Sequence, residues 1–244
     1  MAPEAKLAVI GAGNMGSAIA QGVLRAGLFG PQDIVACDIL FEKAEALARE
    51  LKIHACASAT EAVQSAETVI LAVKPQTMND CLAEIKGVVS AKHLLVSIAA
   101  GISTAFLEER LPAGSRVIRV MPNTPALVGA GATALCAGSN PSEHDMIWAE
   151  KIFAGIGKVY RVSESAMDTV TAVSGSGPAY LFYFAECLAD AAVENGLPAE
   201  TAVDLVTQTL YGASKLLLDS PEGAAALRER VTSPGGTTEA ALKI

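Results

Sequence analysis

The chain has only three histidines, His54, His93 and His144, and each stands far from the others. That excludes a histidine-rich metal site and offers no candidate for a Ser-His-Asp triad. Its five cysteines, Cys37, Cys56, Cys81, Cys136 and Cys187, are odd in number, scattered and without CxxC spacing. A disulfide framework and a zinc site are both unexpected, and a reducing cytoplasm is expected. No run of lysine or arginine occurs and the net charge is -8, so neither nucleic acid nor an anionic membrane surface is an expected partner. Long apolar runs are also missing. Residues 120–142 carry no charge, but Pro122, Pro125 and Pro141 interrupt them, which argues for loops and a buried strand rather than a membrane span. The first residues, Met1 to Lys6, lack a basic n-region and precede an apolar stretch of only a few residues, so no export signal is expected.

What is present is enough apolar material for a packed core: 51% of residues are hydrophobic and 18% charged. The first two thirds alternate short apolar runs with longer amphipathic ones, the rhythm of a parallel sheet wound with helices. Strands are expected at 7–10, 34–37, 68–73, 94–98 and 117–121, with edge strands at 133–137 and 158–162. Helices are expected at 14–26, 41–51, 77–85, 104–111 and 143–153. After about Glu164 the β-branched runs cease and Ala/Leu-rich helical patterns take over, at 167–173, 179–195, 199–218 and 221–230. The reading is an α/β chain with a Rossmann dinucleotide-binding domain over 1–163 and an all-helical domain over 164–244. The helix at 179–195 is apolar around most of its circumference, with Tyr180, Leu181, Phe182, Phe184, Leu188 and Ala192, and so has to be buried, which pairing with a second subunit would achieve.

Gly11-Ala12-Gly13-Asn14-Met15-Gly16 forms a GxGxxG between the first strand and the first helix. The glycines suit a tight turn, close approach of a pyrophosphate and close helix–strand packing, in that order. Asp38, at the end of the second strand, can accept hydrogen bonds from ribose hydroxyls and repel a 2′-phosphate, which favours NADH locally; the lesser alternative is a solvated aspartate that caps the next helix near Phe41. Ala72-Val73-Lys74-Pro75, Ser97-Ile98-Ala99-Ala100-Gly101 and Met121-Pro122-Asn123-Thr124-Pro125 follow later strands, at the carboxyl ends where ligands sit in such sheets. Ser174-Gly175-Ser176-Gly177-Pro178 opens a helix. Ser233-Pro234-Gly235-Gly236-Thr237-Thr238 places three hydroxyl side chains and a diglycine at the start of another, a loop suited to a small carboxylate or, on local grounds, to a plain helix–helix turn.

Together the segments Ile10 to Met15, Ala72 to Pro75, Met121 to Pro125, Ser174 to Tyr180 and Ser233 to Thr238 resemble the pyrroline-5-carboxylate reductase family, in its order and over essentially the whole chain. The resemblance implies NADPH or NADH as cofactor, reduction of the C=N bond of 1-pyrroline-5-carboxylate to L-proline, and helical domains pairing into homodimers that assemble further into decamers. It puts cofactor contacts at Ile10, Gly11, Ala12, Gly13, Asn14, Met15, Asp38, Ala72, Val73, Lys74, Pro75, Ile98, Ala99, Ala100 and Asn123. Substrate contacts fall on Val231, Ser233, Gly235, Gly236, Thr237 and Thr238, with Ser233 and Thr238 nearest the chemistry and the Thr238 hydroxyl on the ring nitrogen. It further implies residues beyond Ile244 that extend the last helix, and a small or hydroxyl residue in many relatives where Asp38 stands. Two other readings stay open. One is a hydroxy-acid dehydrogenase using Lys215; the other is a non-catalytic NAD(P)H-sensing dimer, which leaves the Ser233–Thr238 loop without a role.

Overall fold

The computed structural model describes residues 5–243; Met1 to Glu4, which bear on the export reading, and Ile244 lie outside it. The described chain forms two compact units, Met1–Pro178 and Ala179–Ile244.

Strand-forming runs rich in Val, Ile and Leu build the sheet of the first unit. Its strands are β1 (Leu7–Ile10), β2 (Ile34–Cys37), β3 (His54–Ala55), β4 (Thr68–Leu71), β5 (Leu94–Ser97), β6 (Arg116–Met121), β7 (Gly131–Ala137) and β8 (Gly157–Arg161). Their order is β3-β2-β1-β4-β5-β6-β7-β8, parallel from β3 through β6, with β7 antiparallel to β6 and β8 parallel to β7. Chain direction of travel across the sheet reverses between β1 and β4, which opens the crevice where such sheets hold ligands.

Alternation of side chains along each strand sorts the apolar residues onto two faces. Leu7, Val9, Ile34 and Ala36 join a core with Ile19, Val23, Ala149 and Phe153, from α1 (Asn14–Arg25) and α6 (Glu143–Ala154). The intervening Ala8, Ile10, Val35 and Cys37 face Ala62, Val63, Leu82 and Ile85, from α3 (Ala59–Ser65) and α4 (Met78–Ile85). The other helices of this unit are α2 (Phe41–Leu51), α5 (Thr104–Glu108) and α7 (Met167–Val170).

Several expected elements shorten. The run at 68–73 leaves the sheet after Leu71, so Ala72 and Val73 turn out of the strand as a loop. The helix expected over 104–111 ends at Glu108, and the one expected over 167–173 becomes α7 followed by a π-helix, Thr171–Gly175. β3 and α3 were not expected at all. A two-residue strand and a seven-residue helix are too short for periodicity to register. Their cue is local: the Ser58 hydroxyl accepts the Glu61 N–H at 3.1 Å, a helix cap.

Residues 164–175 pack within the first unit. Glu164 accepts from the Thr104 N–H at 2.7 Å and from its hydroxyl, and pairs with Arg119 at 3.2 Å, while Met167 is buried beside Ala134 and Cys136. The second unit consists of most of α8 (Gly177–Glu194) with α9 (Ala199–Asp219), α10 (Ala224–Arg230) and α11 (Thr237–Ala241). Tyr180, Leu181, Phe182, Tyr183 and Phe184 are each more than half exposed along α8.

Candidate active site

Two adjoining cavities lie at the carboxyl ends of the parallel strands. The first, of about 450 Å³, is lined by Ile10, Gly11 and Gly13, by Asp38 with Ile39, Leu40 and Lys43, by Ala57 to Ala59, and by Ala72 to Lys74. The second, of about 510 Å³, takes in Gly13 to Met15, Ala72 to Pro75, Ile98 to Ala100, and Met121, Pro122, Thr124 and Leu127. Gly13, Ala72, Val73 and Lys74 belong to both, so the glycine turn and the β4 loop form the waist between them. Two chambers joined at a glycine-lined waist match a dinucleotide, with a nucleoside in each chamber and the pyrophosphate between.

The three glycines of the turn divide the work as the sequence pattern requires. Gly11 has φ +108°, left-handed backbone that favours glycine, and an added Cβ would run into the Ala72 carbonyl. A Cβ at Gly16 would collide with the Gly11 carbonyl oxygen and press on Val9, so this glycine lets α1 lie close against β1. At Gly13 an added Cβ meets nothing within 4 Å. Gly13 is the N-cap of α1, and no acidic residue occupies the first turn. The space a Cβ would fill there is left open at the positive end of a helix, and that fits a pyrophosphate.

Asp38 is fixed by backbone donors. Its Oδ2 accepts the Ala12 N–H at 2.8 Å and its Oδ1 the Leu40 N–H at 3.0 Å. It does not cap α2, whose N-cap is Leu40 without a side-chain bond. Its role is to tie the glycine turn to the end of β2. Cys81 lines the same chamber with its thiol pushed up to about 12 by burial and by nearby Glu84. Cys37 is raised further, by contact with Cys56 and by burial, so both thiols stay neutral and act as apolar wall.

Asn123 lies between Pro122 and Thr124 but is itself buried, and both ends of its amide are used by protein. Oδ1 accepts the Ala132 N–H at 2.8 Å and Nδ2 donates to the Ser174 carbonyl at 3.0 Å. It binds the start of β7 and the π-helix to the floor of the second cavity. The resemblance puts it beside the cofactor; its bonds make it a positioning residue for the walls on either side.

The Ser233–Thr238 loop belongs to the second unit. Gly235 takes φ +73°, its N–H donates to Glu239 Oε2 at 2.6 Å, and the Gly236 N–H donates to the Ser233 carbonyl at 3.0 Å. Those two amides are therefore consumed in shaping the turn. The outward-facing donors are the Thr237 and Thr238 N–H groups, in the first turn of α11, where helical N–H groups have no acceptor within the helix. Val231 caps α10 and is exposed, Ser233 is exposed and Thr238 is half-buried. Lys215, the candidate proton donor of the hydroxy-acid reading, forms an exposed ion pair with Asp219 one turn along α9, at 2.7 Å.

Sequence reasoning missed Ile39, Leu40, Lys43 and Ala57 to Ala59 as cavity walls. The signal was there for the first pair, two apolar residues following a strand directly into solvent. The Ala57 to Ala59 wall depends on the short β3 and α3, which periodicity does not detect.

Residues 164–244 match the family described as pyrroline-5-carboxylate reductase dimerisation, and residues 6–101 match NADP oxidoreductase coenzyme F420-dependent. Among curated proteins, the pyrroline-5-carboxylate reductase of Methanosarcina acetivorans is 40% identical over 96% of this chain and 86% of its own length. That of Escherichia coli is 39% identical over 99% of this chain and 90% of its own. Among solved structures, a pyrroline-5-carboxylate reductase from Coxiella burnetii superposes with a TM-score of 0.89 at 36% identity, covering 98% of this chain and 89% of that one. The Plasmodium falciparum pyrroline carboxylate reductase with NADP bound gives 0.88 at 32% identity, covering 100% and 90%. A prephenate dehydrogenase from Aquifex aeolicus, at 15% identity and a TM-score of 0.60, shares the fold alone.

Proposed function

The chain belongs to the pyrroline-5-carboxylate reductase family, and from that premise we propose how its own residues carry out the reduction. It is an NAD(P)H-dependent oxidoreductase that converts 1-pyrroline-5-carboxylate to L-proline. The observation that carries this reading is that one chain holds both a dinucleotide cradle, Gly11 to Met15 with Ala72 to Pro75, and, in its other unit, the hydroxyl-bearing Ser233–Thr238 loop of the dimerisation domain. The sensing alternative leaves that loop without work.

The bound dinucleotide supplies a hydride to the imine carbon. Everything else is positioning. The glycine turn and the α1 N-terminus hold the pyrophosphate, with Lys74 at the waist as its counter-charge. Ile98 to Ala100, with small side chains at Ala99 and Ala100, let the nicotinamide end lie against backbone. Ser233 and the Thr237 and Thr238 N–H groups hold the substrate carboxylate, and the Thr238 hydroxyl meets the ring nitrogen. A protonated cyclic imine is already electrophilic, so placing it at near-attack distance and excluding water suffices. No histidine is needed.

The dimerisation domain makes the protein an oligomer. We assign the helical domain of one subunit to complete the site of its partner, and dimers to assemble further into decamers. The free thiols of Cys37, Cys56, Cys81, Cys136 and Cys187 suit a reducing compartment, and we place the enzyme in the cytoplasm. No helix among the described residues is long and apolar enough to cross a membrane.

The test is oxidation of NADH and of NADPH at saturating 1-pyrroline-5-carboxylate, followed by absorbance, with proline identified as product. Thr238→Ala is expected to lower kcat/KM by roughly ten- to a thousandfold, the loss of one oriented hydrogen-bond partner of the ring nitrogen. Unchanged kinetics would remove Thr238 from the mechanism, and no turnover with either nucleotide would overturn the reductase reading.

A further inference from the structure

We propose that the first cavity selects NADH over NADPH, with Asp38 as the specificity-determining residue and Ile39 as the apolar seat of the adenine. This rests on the reductase reading above and names which of the two nucleotides the site takes.

Discrimination between them concerns one group, a phosphate or a hydroxyl on the adenosine ribose. A 2′-hydroxyl donates a hydrogen bond, whereas a 2′-phosphate carries close to two negative charges and asks for cations. Asp38 offers the opposite of a cation and cannot withdraw it. Each of its oxygens is already held by a backbone N–H, from Ala12 and from Leu40, so rotation away from an incoming phosphate would break both bonds and leave the part-buried Ala12 donor without its acceptor. Each oxygen nevertheless keeps a second lone pair, enough to accept from the ribose hydroxyls.

The surroundings reinforce the choice. The charged walls of the chamber are Asp38, Asp80 and Glu84 against Lys43 and Lys74, three negative and two positive, a net of one negative charge. Lys74 stands at the waist, where the pyrophosphate common to both nucleotides uses it. That leaves Lys43 as the one further cation of the cavity wall, opposed by the fixed carboxylate. Residues 38–41 read Asp-Ile-Leu-Phe and contain no arginine to grip a phosphate with two parallel bonds. Ile39 is instead 94% exposed and Leu40 51%. Two apolar side chains left in water at the mouth of a nucleoside chamber gain by being covered, and the face of an adenine ring covers them without demanding charge.

The experiment is calorimetric titration of the purified full chain with NADH, NADPH, ADP-ribose and 2′-phosphorylated ADP-ribose, at low and at high salt. The two ribose compounds lack nicotinamide, so they report the adenosine end without turnover. Wild-type protein is expected to bind each unphosphorylated ligand about tenfold or more tighter than its phosphorylated partner. Salt should narrow that gap by screening the repulsion. Asp38→Ser with Ile39→Arg is expected to reverse it. Because losing Asp38 also loosens the glycine turn, Ile39→Arg alone serves as the second variant; it leaves both Asp38 bonds in place and should raise affinity for the phosphorylated ligands severalfold. Equal or tighter binding of NADPH by the wild type would overturn the proposal, as would an unchanged gap in Ile39→Arg. Proline formation with NADPH as the better donor would sink this inference and leave the reductase standing. Tighter NADH binding without turnover would do the reverse.

Discussion

Gly13 and Gly16 lie three residues apart in one motif and answer to different constraints. At Gly16 a methyl group has nowhere to go, because the Gly11 carbonyl and Val9 occupy its place. At Gly13 it meets open space. Gly16→Ala is therefore expected to destabilise the fold by about 1–3 kcal/mol, the usual cost of overpacking, seen as a lower midpoint in denaturant. Gly13→Ala should leave that midpoint nearly unchanged and instead weaken nucleotide affinity by tenfold or more, on the order of 1.4 kcal/mol. If both variants moved the same observable, the division of roles within the turn would be wrong. Asn123 teaches a related lesson. Its position between two prolines marks it as a rigid amide, but only its bonds to Ala132 and Ser174 say that the amide works for the protein.

At the scale of elements, the segment 164–175 is held to the sheet by the Glu164 carboxylate alongside the buried Met167 and the Asn123–Ser174 bond. Burial acts to raise the Glu164 pKa, but the Thr104 hydroxyl and N–H and the Arg119 guanidinium outweigh it, and the net shift is below the ordinary 4.5. A group depressed in the folded state contributes stability that is present above its unfolded pKa and lost as pH falls through its folded one. The wild-type melting temperature should accordingly fall as pH drops below about 4.5, and Glu164→Gln should melt lower at neutral pH while showing a shallower acid dependence. Parallel curves for the two proteins would show that Glu164 does not anchor the segment. Asp145 acts in the same sense at the start of α6. Burial raises its pKa, yet bonds from the Ser142 N–H and hydroxyl, with Arg116 at 2.6 Å, bring it below its usual value.

For the whole molecule, the second unit decides whether one chain is enough. Leu181, Phe184 and Leu188 share one face of α8 at i, i+3 and i+7, and each is at least 41% exposed. A helix apolar on that face needs a cover, and it lies within the segment that matches the dimerisation family. Leu181→Glu combined with Phe184→Glu is expected to shift sedimentation from oligomer to monomer and to abolish turnover, while nucleotide binding to the first unit persists within about threefold. Retained oligomer with those two charges in place would move the interface to another face.

Much of this could be read from residues in order. The alternation of strands and helices, the GxGxxG cradle, the β4 loop and the passage to an all-helical second domain depend on periods and spacings within single segments, and local sequence determines those. β3 and α3 were hidden because they are too brief to establish a period, and with them went the Ala57 to Ala59 wall. Which way Asp38 points, where the Asn123 amide spends its bonds, and that two exposed apolar residues stand at the mouth of the nucleoside chamber were decided only in three dimensions. Each depends on partners brought from distant parts of the chain, Ala12 against Asp38 and Ser174 against Asn123, and no spacing along the sequence records which donor will meet which acceptor.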